Sequence, residues 1–320
     1  MTKLSFVIPC YRSEHTVTEV VREIQSTVKA RDGYSYEILL VNDNSPDDVF
    51  DVIEALAKED PCVKGIDLAK NFGQHSALMT GFRYVSGDVV VCLDDDGQTP
   101  ASEVFTLIDK LNEGYDAVFA KYKSKHHSFA RNLGSKMNDL MAREFIGKPK
   151  DLAIMSYFCC RRFVVDEIVR YQNPYPYVSG LILRTTNRVT NVEIDHRDRL
   201  NGSSGYTFKK LISLWVNGFT SFSVKPLRFA TLVGTVFALL GFLYGFYVVL
   251  NKLFFNPAVP LGYSSLLSVT LLLGGLILLM LGLIGEYIGR IYISLNNAPQ
   301  AVVRQTVNLG ESHEKTNLPR

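Results

Sequence analysis

Disulfide chemistry, nucleic-acid affinity and a secretory leader are not expected of this sequence. Its five cysteines, Cys10, Cys62, Cys92, Cys159 and Cys160, are odd in number and scattered. That fits neither a disulfide framework nor the paired CxxC spacing of a zinc site. Most lie in apolar runs and read as reduced packing residues facing a cytoplasm. The formal net charge is only +2, without the basic excess that a nucleic-acid partner requires, so no nucleic acid is expected. Lys3 is followed by a short apolar run, Leu4 to Ile8, before Pro9 and Cys10, and no cleavable signal peptide is expected. Internal repeats and low-complexity tracts are also absent, although the segment after Val307 (NLGESHEKTNLPR) is polar and reads as a disordered tail.

Charge is missing from two long stretches as well. Residues 229–250 (FATLVGTVFALLGFLYGFYVVL) and 262–285 (GYSSLLSVTLLLGGLILLMLGLIG) contain none. At about 1.5 Å rise per residue each reaches about 30 Å, enough to cross the hydrocarbon core of a bilayer. The basic residues Lys209, Lys210, Lys225 and Arg228 precede the pair, Arg290 and Arg304 follow it, and the connecting loop offers only Lys252. A transmembrane hairpin over 229–285 with both chain ends in the cytoplasm is the expectation. A buried hairpin of a globular protein is the alternative.

What remains is a domain over 1–205, in which short apolar runs alternate with amphipathic stretches. LSFVIPC, YEILLVND, CVKGIDLA and DVVVCLDDD read as strands; TVTEVVREIQSTVKA, DDVFDVIEALAKED and HSALMTGFRYVS read as helices. Such alternation predicts an α/β fold, a mostly parallel sheet with helices on both faces. Ligands in such sheets bind at the carboxyl ends of the strands. Three of those ends carry polar or ring residues: Pro9-Cys10-Tyr11, Asn42-Asp43-Asn44-Ser45, and the triplet Asp94-Asp95-Asp96. Adjacent carboxylates repel, and a divalent cation is the simplest partner for them; a solvated acidic turn is the bland alternative.

The set IPCYRSE, LLVNDNSPD, NFGQHSALMTGF, LDDDGQTP, NGSSGYTF and, after the second apolar run, GLIGEYIGRIY resembles the inverting family 2 glycosyltransferases that load sugars onto polyprenyl phosphate. The undecaprenyl-phosphate sugar transferases are nearest within that family, and the dolichol-phosphate mannose synthases more distant. The resemblance runs from about residue 4 to 305. It implies a GT-A, Rossmann-like nucleotide-sugar domain at 1–205 and an interfacial amphipathic helix and connection at 206–228. Two transmembrane helices, about 229–250 and 262–285, and a cytoplasmic segment over 286–320 complete the expected organisation. The activity implied is transfer of one sugar from a nucleotide sugar, expected to be a UDP-sugar, to polyprenyl phosphate at the inner or plasma membrane. A homo-oligomer is implied too.

The resemblance also distributes roles. Asp94 and Asp96 match the family's metal-binding pair, for Mg²⁺ or Mn²⁺, with Asp96 catalytic; Asp95 holds the variable middle position and reads as a bystander beside the nucleotide sugar. Asp43 would accept a hydrogen bond from the base or ribose, or merely form a turn. Pro9 and Tyr11 would wall the base and Glu14 reach the ribose, against simple loop packing. Gln74 and His75 stand where a helix begins and its N–H groups favour the diphosphate, against a purely structural role. Asp151 is the remaining acid in the segment where relatives carry the general base, shifted by about one residue; a cap or loop aspartate is the alternative. Arg131 and Ser135, four apart on one helical face, with Lys136, would hold the acceptor phosphate. Arg199 and Ser204 lie in RLNGSSGYTF, where Gly205 stands in place of the family's lysine. Attraction to anionic lipid would also explain these cations. Glu286 and Arg290 can pair across one helical turn, and Trp215 belongs to an interfacial aromatic belt.

Two other classes compete. A membrane-anchored nucleotide-sugar-binding protein without turnover would tolerate the missing lysine and the displaced acid. A transporter or accessory subunit would need a polar path that two uncharged helices do not offer. Processive synthases carry a chain-holding arginine–tryptophan pair, whereas the single tryptophan here, Trp215, follows Leu214; one sugar per carrier is therefore expected.

Overall fold

The computed structural model of the chain describes residues 1–122, 149, 151–195, 225–254, 262–295 and 299–309. Residues 1–208 with 298–320 form one compact unit and 209–297 a second. In the first, strands Thr2–Cys10 (β1), Tyr34–Asn42 (β2), Val63–Leu68 (β3) and Val89–Cys92 (β4) alternate with helices Val17–Lys29 (α1), Val49–Glu59 (α2) and Gln74–Phe82 (α3). Helix Val104–Asn112 (α4) leads to Ala117–Tyr122 (β5), and Phe158–Arg161 (β6) to the helices Arg162–Ile168 (α5) and Val178–Thr185 (α6) and the strand Val189–Ile194 (β7).

Local chemistry accounts for these elements. In α1 the buried Val17, Val20, Val21, Ile24 and Val28 recur at helical spacing, with Glu19 in the first turn and Lys29 in the last, each matched to the helix dipole. The strands of the sheet centre are buried on both faces, so they read as continuous apolar runs. Helix α3 lies so close to the sheet that a Cβ on Gly81 would meet Val7 Cγ1 at 2.5 Å and Val41 Cγ2 at 3.2 Å.

With Val303–Val307 (β8), the eight strands of the described residues run in the order β7-β5-β6-β4-β1-β2-β3-β8. β1 pairs in parallel with both β2 and β4, and β2 with β3. From β1 the chain winds outward through β2 and β3, then returns to the other side of β1 as β4. The crevice at the carboxyl ends of β1 and β4 is the topological switch point, where such sheets bind ligands. Pro9, which cannot donate to a ladder, is tolerated in β1 because pairing with β4 stops at Val7.

The alternation read from sequence matches the four parallel strands. Two features depart from it. β6 runs antiparallel between β4 and β5, and the edge of the sheet is closed by Val303–Val307 (β8), antiparallel to β3. Val303–Val307 is therefore part of the sheet, a role that the sequence did not suggest. Gln300 is buried beside it; its side-chain oxygen accepts from Arg83 (3.2 Å) and its amide donates to the carbonyls of Tyr171 (3.3 Å) and Asn173 (3.0 Å). Asn308 donates to the carbonyls of Ala57 (2.6 Å) and Val63 (2.9 Å).

At the opposite, amino end of the strands, Glu37 is fully buried yet charged. Burial alone would raise its pKa, but Lys64 (2.7 Å), the Ser5 hydroxyl (2.5 Å) and the Ser86 amide and hydroxyl (2.5 and 2.8 Å) all donate to it and hold it down at about 2.

The second unit holds helices Lys225–Phe254 (α7) and Tyr263–Leu295 (α8), of 30 and 33 residues. They extend beyond the uncharged runs at 229–250 and 262–285. Large apolar side chains stand exposed along both, among them Leu232, Leu239, Leu243, Leu266, Leu278 and Ile291. Among the described residues alone, no helix is long and apolar enough to cross a membrane; several positions within α7 and α8 lie outside that description. So do the side chains of Glu286 and Arg290, and all of Trp215.

Candidate active site

The carboxyl ends of β1, β2 and β4, with the start of α3, form one polar surface. Gly73, at a φ of 88° that favours glycine, turns the chain into α3. Both oxygens of Asp43 accept backbone N–H groups of that turn, from Phe72 at 2.7 Å and Gly73 at 2.8 Å. Asp43 is buried, and burial raises its pKa while the two amides oppose the rise. Its demonstrated contact is thus to the turn before α3, and each oxygen retains a further lone pair.

The acidic triplet divides its labour. Asp94 accepts from the Gln74 side-chain amide at 3.0 Å and from the Ser156 hydroxyl at 2.5 Å. Asp96 accepts the Gln98 amide at 3.1 Å. Asp95 turns back into the protein, where its carboxylate accepts the Tyr11 amide at 2.9 Å and its carbonyl the Thr16 hydroxyl at 2.6 Å. The bystander position is therefore a clasp that holds the β1–α1 loop, and with it Tyr11, against the end of β4. Burial pushes the Asp95 carboxyl up to about 6; the Tyr11 amide opposes this and the Asp94 charge adds to it. Burial, and then the charges of Asp94 and Asp96, raise the Tyr122 phenol as well. Burial is the larger cause of both shifts, and the Asp94 charge adds to each. Two hard carboxylates in that field suit Mg²⁺ or Mn²⁺, which are held by one or two carboxylates together with phosphate oxygens. Among the described residues no group of three His, Cys, Asp or Glu side chains gathers for a metal, so the remaining ligands would come from substrate and water.

Other predicted residues are placed less centrally. The Glu14 carboxylate accepts the Asp48 amide at 3.0 Å and its own amide donates to Asp47 at 3.1 Å, tying the β1–α1 and β2–α2 loops together. Tyr11 is 45% exposed, open to a flat ligand. His75 packs edge-on to Tyr177 with ring centroids 5.1 Å apart, and burial lowers its pKa to about 4. Asp151 is exposed in the turn after Pro149. The segment that follows it is fastened by Asn191, which accepts the Ala153 amide at 2.7 Å and donates to the Ala153 carbonyl at 2.7 Å. Ser156 on that segment is what reaches Asp94. Sequence reading assigns no role to Ser156 or Asn191: Ser156 lies in the stretch aligned with the family's general-base segment, where only Asp151 is singled out, and Asn191 is carried by β7, far away in the chain. Arg131, Ser135, Lys136, Arg199 and Ser204 lie outside the described residues.

Residues 5–169 match glycosyl transferase family 2, and residues 225–291, the span of α7 and most of α8, match the GtrB C-terminal hairpin. The chain is a family 2 glycosyltransferase. This glycosyltransferase is 34% identical to the undecaprenyl-phosphate 4-deoxy-4-formamido-L-arabinose transferase of Klebsiella pneumoniae (strain 342), over 98% of its own length and 96% of the relative's. It is 35% identical to the uncharacterized glycosyltransferase YkcC of Bacillus subtilis (strain 168), over 95% and 94%. Among solved structures, it is similar to glucosyl-3-phosphoglycerate synthase from Mycobacterium tuberculosis in complex with Mn²⁺, UDP-glucose and phosphoglyceric acid. That match has a TM-score of 0.50 and 17% identity, and covers 67% of this chain and 76% of the other. The likeness identifies the fold as the GT-A type.

Proposed function

We propose that this glycosyltransferase moves a single sugar from a UDP-sugar to undecaprenyl phosphate, with inversion, at the cytoplasmic face of the inner or plasma membrane. The observation that carries the reading is the meeting of Asp94, Asp96, Tyr11 and the Asp43 turn at the β1/β4 switch point. The name of the Klebsiella relative supports the acceptor, since the likeness spans nearly both chains.

In this reading Tyr11 and Pro9 wall the base, and the Asp43 turn and Glu14 line the ribose side. Gln74 orients Asp94. Bound between Asp94 and Asp96, Mg²⁺ or Mn²⁺ would supply the positive charge that a departing diphosphate needs. An acceptor phosphate oxygen forms a bond to the anomeric carbon as the bond from that carbon to the nucleoside diphosphate breaks, and the electron pair leaves with the diphosphate. The phosphate is already ionised near neutral pH, so positioning matters more than proton removal. Asp151 is assigned to orient it. Arg131, Ser135, Lys136, Arg199 and Ser204 are assigned to hold it, with residues 206–228 at the bilayer surface. α7 and α8 span the membrane: their exposed apolar side chains have no other solvent suited to them. The chain leaves the first unit before α7 and rejoins it after α8, as a hairpin with both ends on one side requires.

The test is incubation of the purified protein with undecaprenyl phosphate, Mg²⁺ or Mn²⁺, and a panel of UDP-, GDP- and dTDP-sugars, read by mass spectrometry of the lipid. One sugar increment and a released nucleoside diphosphate are expected. A ladder of increments would mean a processive enzyme, and nucleotide-sugar binding with no glycolipid would mean a binding protein.

A further inference from the structure

Arg304 enters the sequence argument only as one of the charges flanking the hairpin. In the structure it reaches the loops of the nucleotide site from the far end of the chain. β8 pairs with β3 through Gln305 opposite Asp67 and Val303 opposite Leu68, so Arg304 is the extra residue of a β-bulge. Bulges re-aim a side chain, and they recur beside active sites. Here the guanidinium is turned toward the carboxyl ends of β2 and β3. It donates to Asp67 at 3.2 Å, to the Asn44 side-chain oxygen at 3.2 Å and to the Ala69 carbonyl at 3.0 Å.

Each of those partners leads into the site. Asn44 follows Asp43 directly. Ala69 begins the loop whose Phe72 and Gly73 amides bind Asp43, and its own amide donates to the Val302 carbonyl at 2.8 Å. Asp67 is buried and also accepts from Asn42 at 2.7 Å; Asn42 in turn accepts the Ser45 amide at 3.0 Å, and the Ser45 hydroxyl accepts the Arg12 amide at 2.7 Å. Arg12 adjoins Tyr11. One guanidinium thus links the β2–α2 loop, the β3–α3 loop and, through Asn42 and Ser45, the loop that carries the base wall.

Pinning of β8 does not account for this arrangement. The strand already has its ladder to β3, and Gln300 and Asn308 anchor it on either side. The Arg304 side chain is 54% exposed, and ion pairs that open to water contribute little to stability. Two of its three partners, Asn44 and Ala69, lie on loops that must keep their shape to hold a nucleotide, and the third, Asp67, stands at the end of β3 beside them.

We propose that Arg304 is a positioning residue of the nucleotide pocket, setting the Asp43 turn and the loop before α3 from a strand that follows the membrane hairpin. The inference rests on the nucleotide-sugar reading given above. Lysine keeps the charge but cannot span the three partners as a fork can, so two variants separate charge from geometry. Binding of UDP, GDP and dTDP with Mn²⁺ is measured by calorimetry on the full-length protein in detergent, for wild type, Arg304→Met and Arg304→Lys. For the nucleotide that wild type binds, Arg304→Met is expected to weaken affinity about tenfold and Arg304→Lys by less. The KM for the nucleotide sugar should rise while kcat, the KM for undecaprenyl phosphate and the melting temperature hold. Unchanged nucleotide affinity in Arg304→Met overturns the proposal and leaves the donor reading intact. A parallel fall in melting temperature, kcat and affinity makes Arg304 a strut of the fold and overturns it too. Should Arg304→Met not fold, wild-type affinity in Arg304→Lys overturns it equally. A wild-type protein that binds none of the three nucleotides removes the donor reading, and this inference with it.

Discussion

Asp94 and two of its donors, Gln74 and Ser156, set the expectations at the scale of single residues. Groups that orient a metal-bound carboxylate commonly change metal affinity by about ten- to a hundredfold when removed. Ser156→Ala should therefore raise the Mn²⁺ concentration for half-maximal activity about tenfold while leaving activity at saturating Mn²⁺ near that of wild type. Asp96→Asn should lower kcat about a hundredfold or more at any Mn²⁺ concentration, because charge on the leaving group is then poorly met. A metal titration of the three proteins separates the cases. Glu37 makes a different, pH-dependent prediction. Its folded pKa of about 2 lies below the ordinary 4.5, so its contribution is complete above pH 4.5 and is lost as pH falls toward 2. That contribution is about 3 kcal/mol at most. Melting of wild type and Glu37→Gln between pH 7 and pH 3 should show the gap between them narrowing as the solution is acidified. A constant gap would place the charge elsewhere.

At the scale of elements, the parallel half of the sheet was legible because its causes are local. Each strand is an apolar run ending in polar residues, and each helix carries its own stripe. The triplet after β4 could be assigned to a strand end for the same reason. β6 and β8 were not legible. FCCR of β6 is too short to signal its direction, and VRQTV of β8 is mostly exposed at the sheet edge. Their pairing is fixed by partners far away in the chain, which no local pattern encodes. Ser156 and Arg304 ride on those two strands' surroundings and were hidden with them. The clasp made by Asp95 was hidden for a related reason: strand alternation says which face a side chain occupies, but not that a loop from β1 will present an amide to it. The packing of α3 gives the prediction at this scale. A methyl group at Gly81 would need room that Val7 and Val41 occupy, so Gly81→Ala should lower stability by about 1–3 kcal/mol, read as a lower melting temperature.

For the molecule as a whole, the strongest prediction is topological. Reporters placed before Thr2 and after Val307 should both report the cytoplasm, and one near Pro257 the opposite side. A reporter after Val307 on the opposite side would be incompatible with β8 in the sheet, since both belong to one compact unit.

β8 also fixes an order of events during synthesis. Residues 303–307 leave the ribosome only after the whole of 225–295, yet they cover the edge of β3. Until then β3 presents a row of unpaired N–H and C=O groups, the template on which sheets aggregate. The catalytic unit therefore cannot be completed before residues 225–295 have been made, which delays a finished sheet until the second unit has left the ribosome. A chain cut after residue 208 should collect in aggregates rather than fold, and one in which a flexible linker joins residue 208 to 299 should recover a dispersed, nucleotide-binding domain.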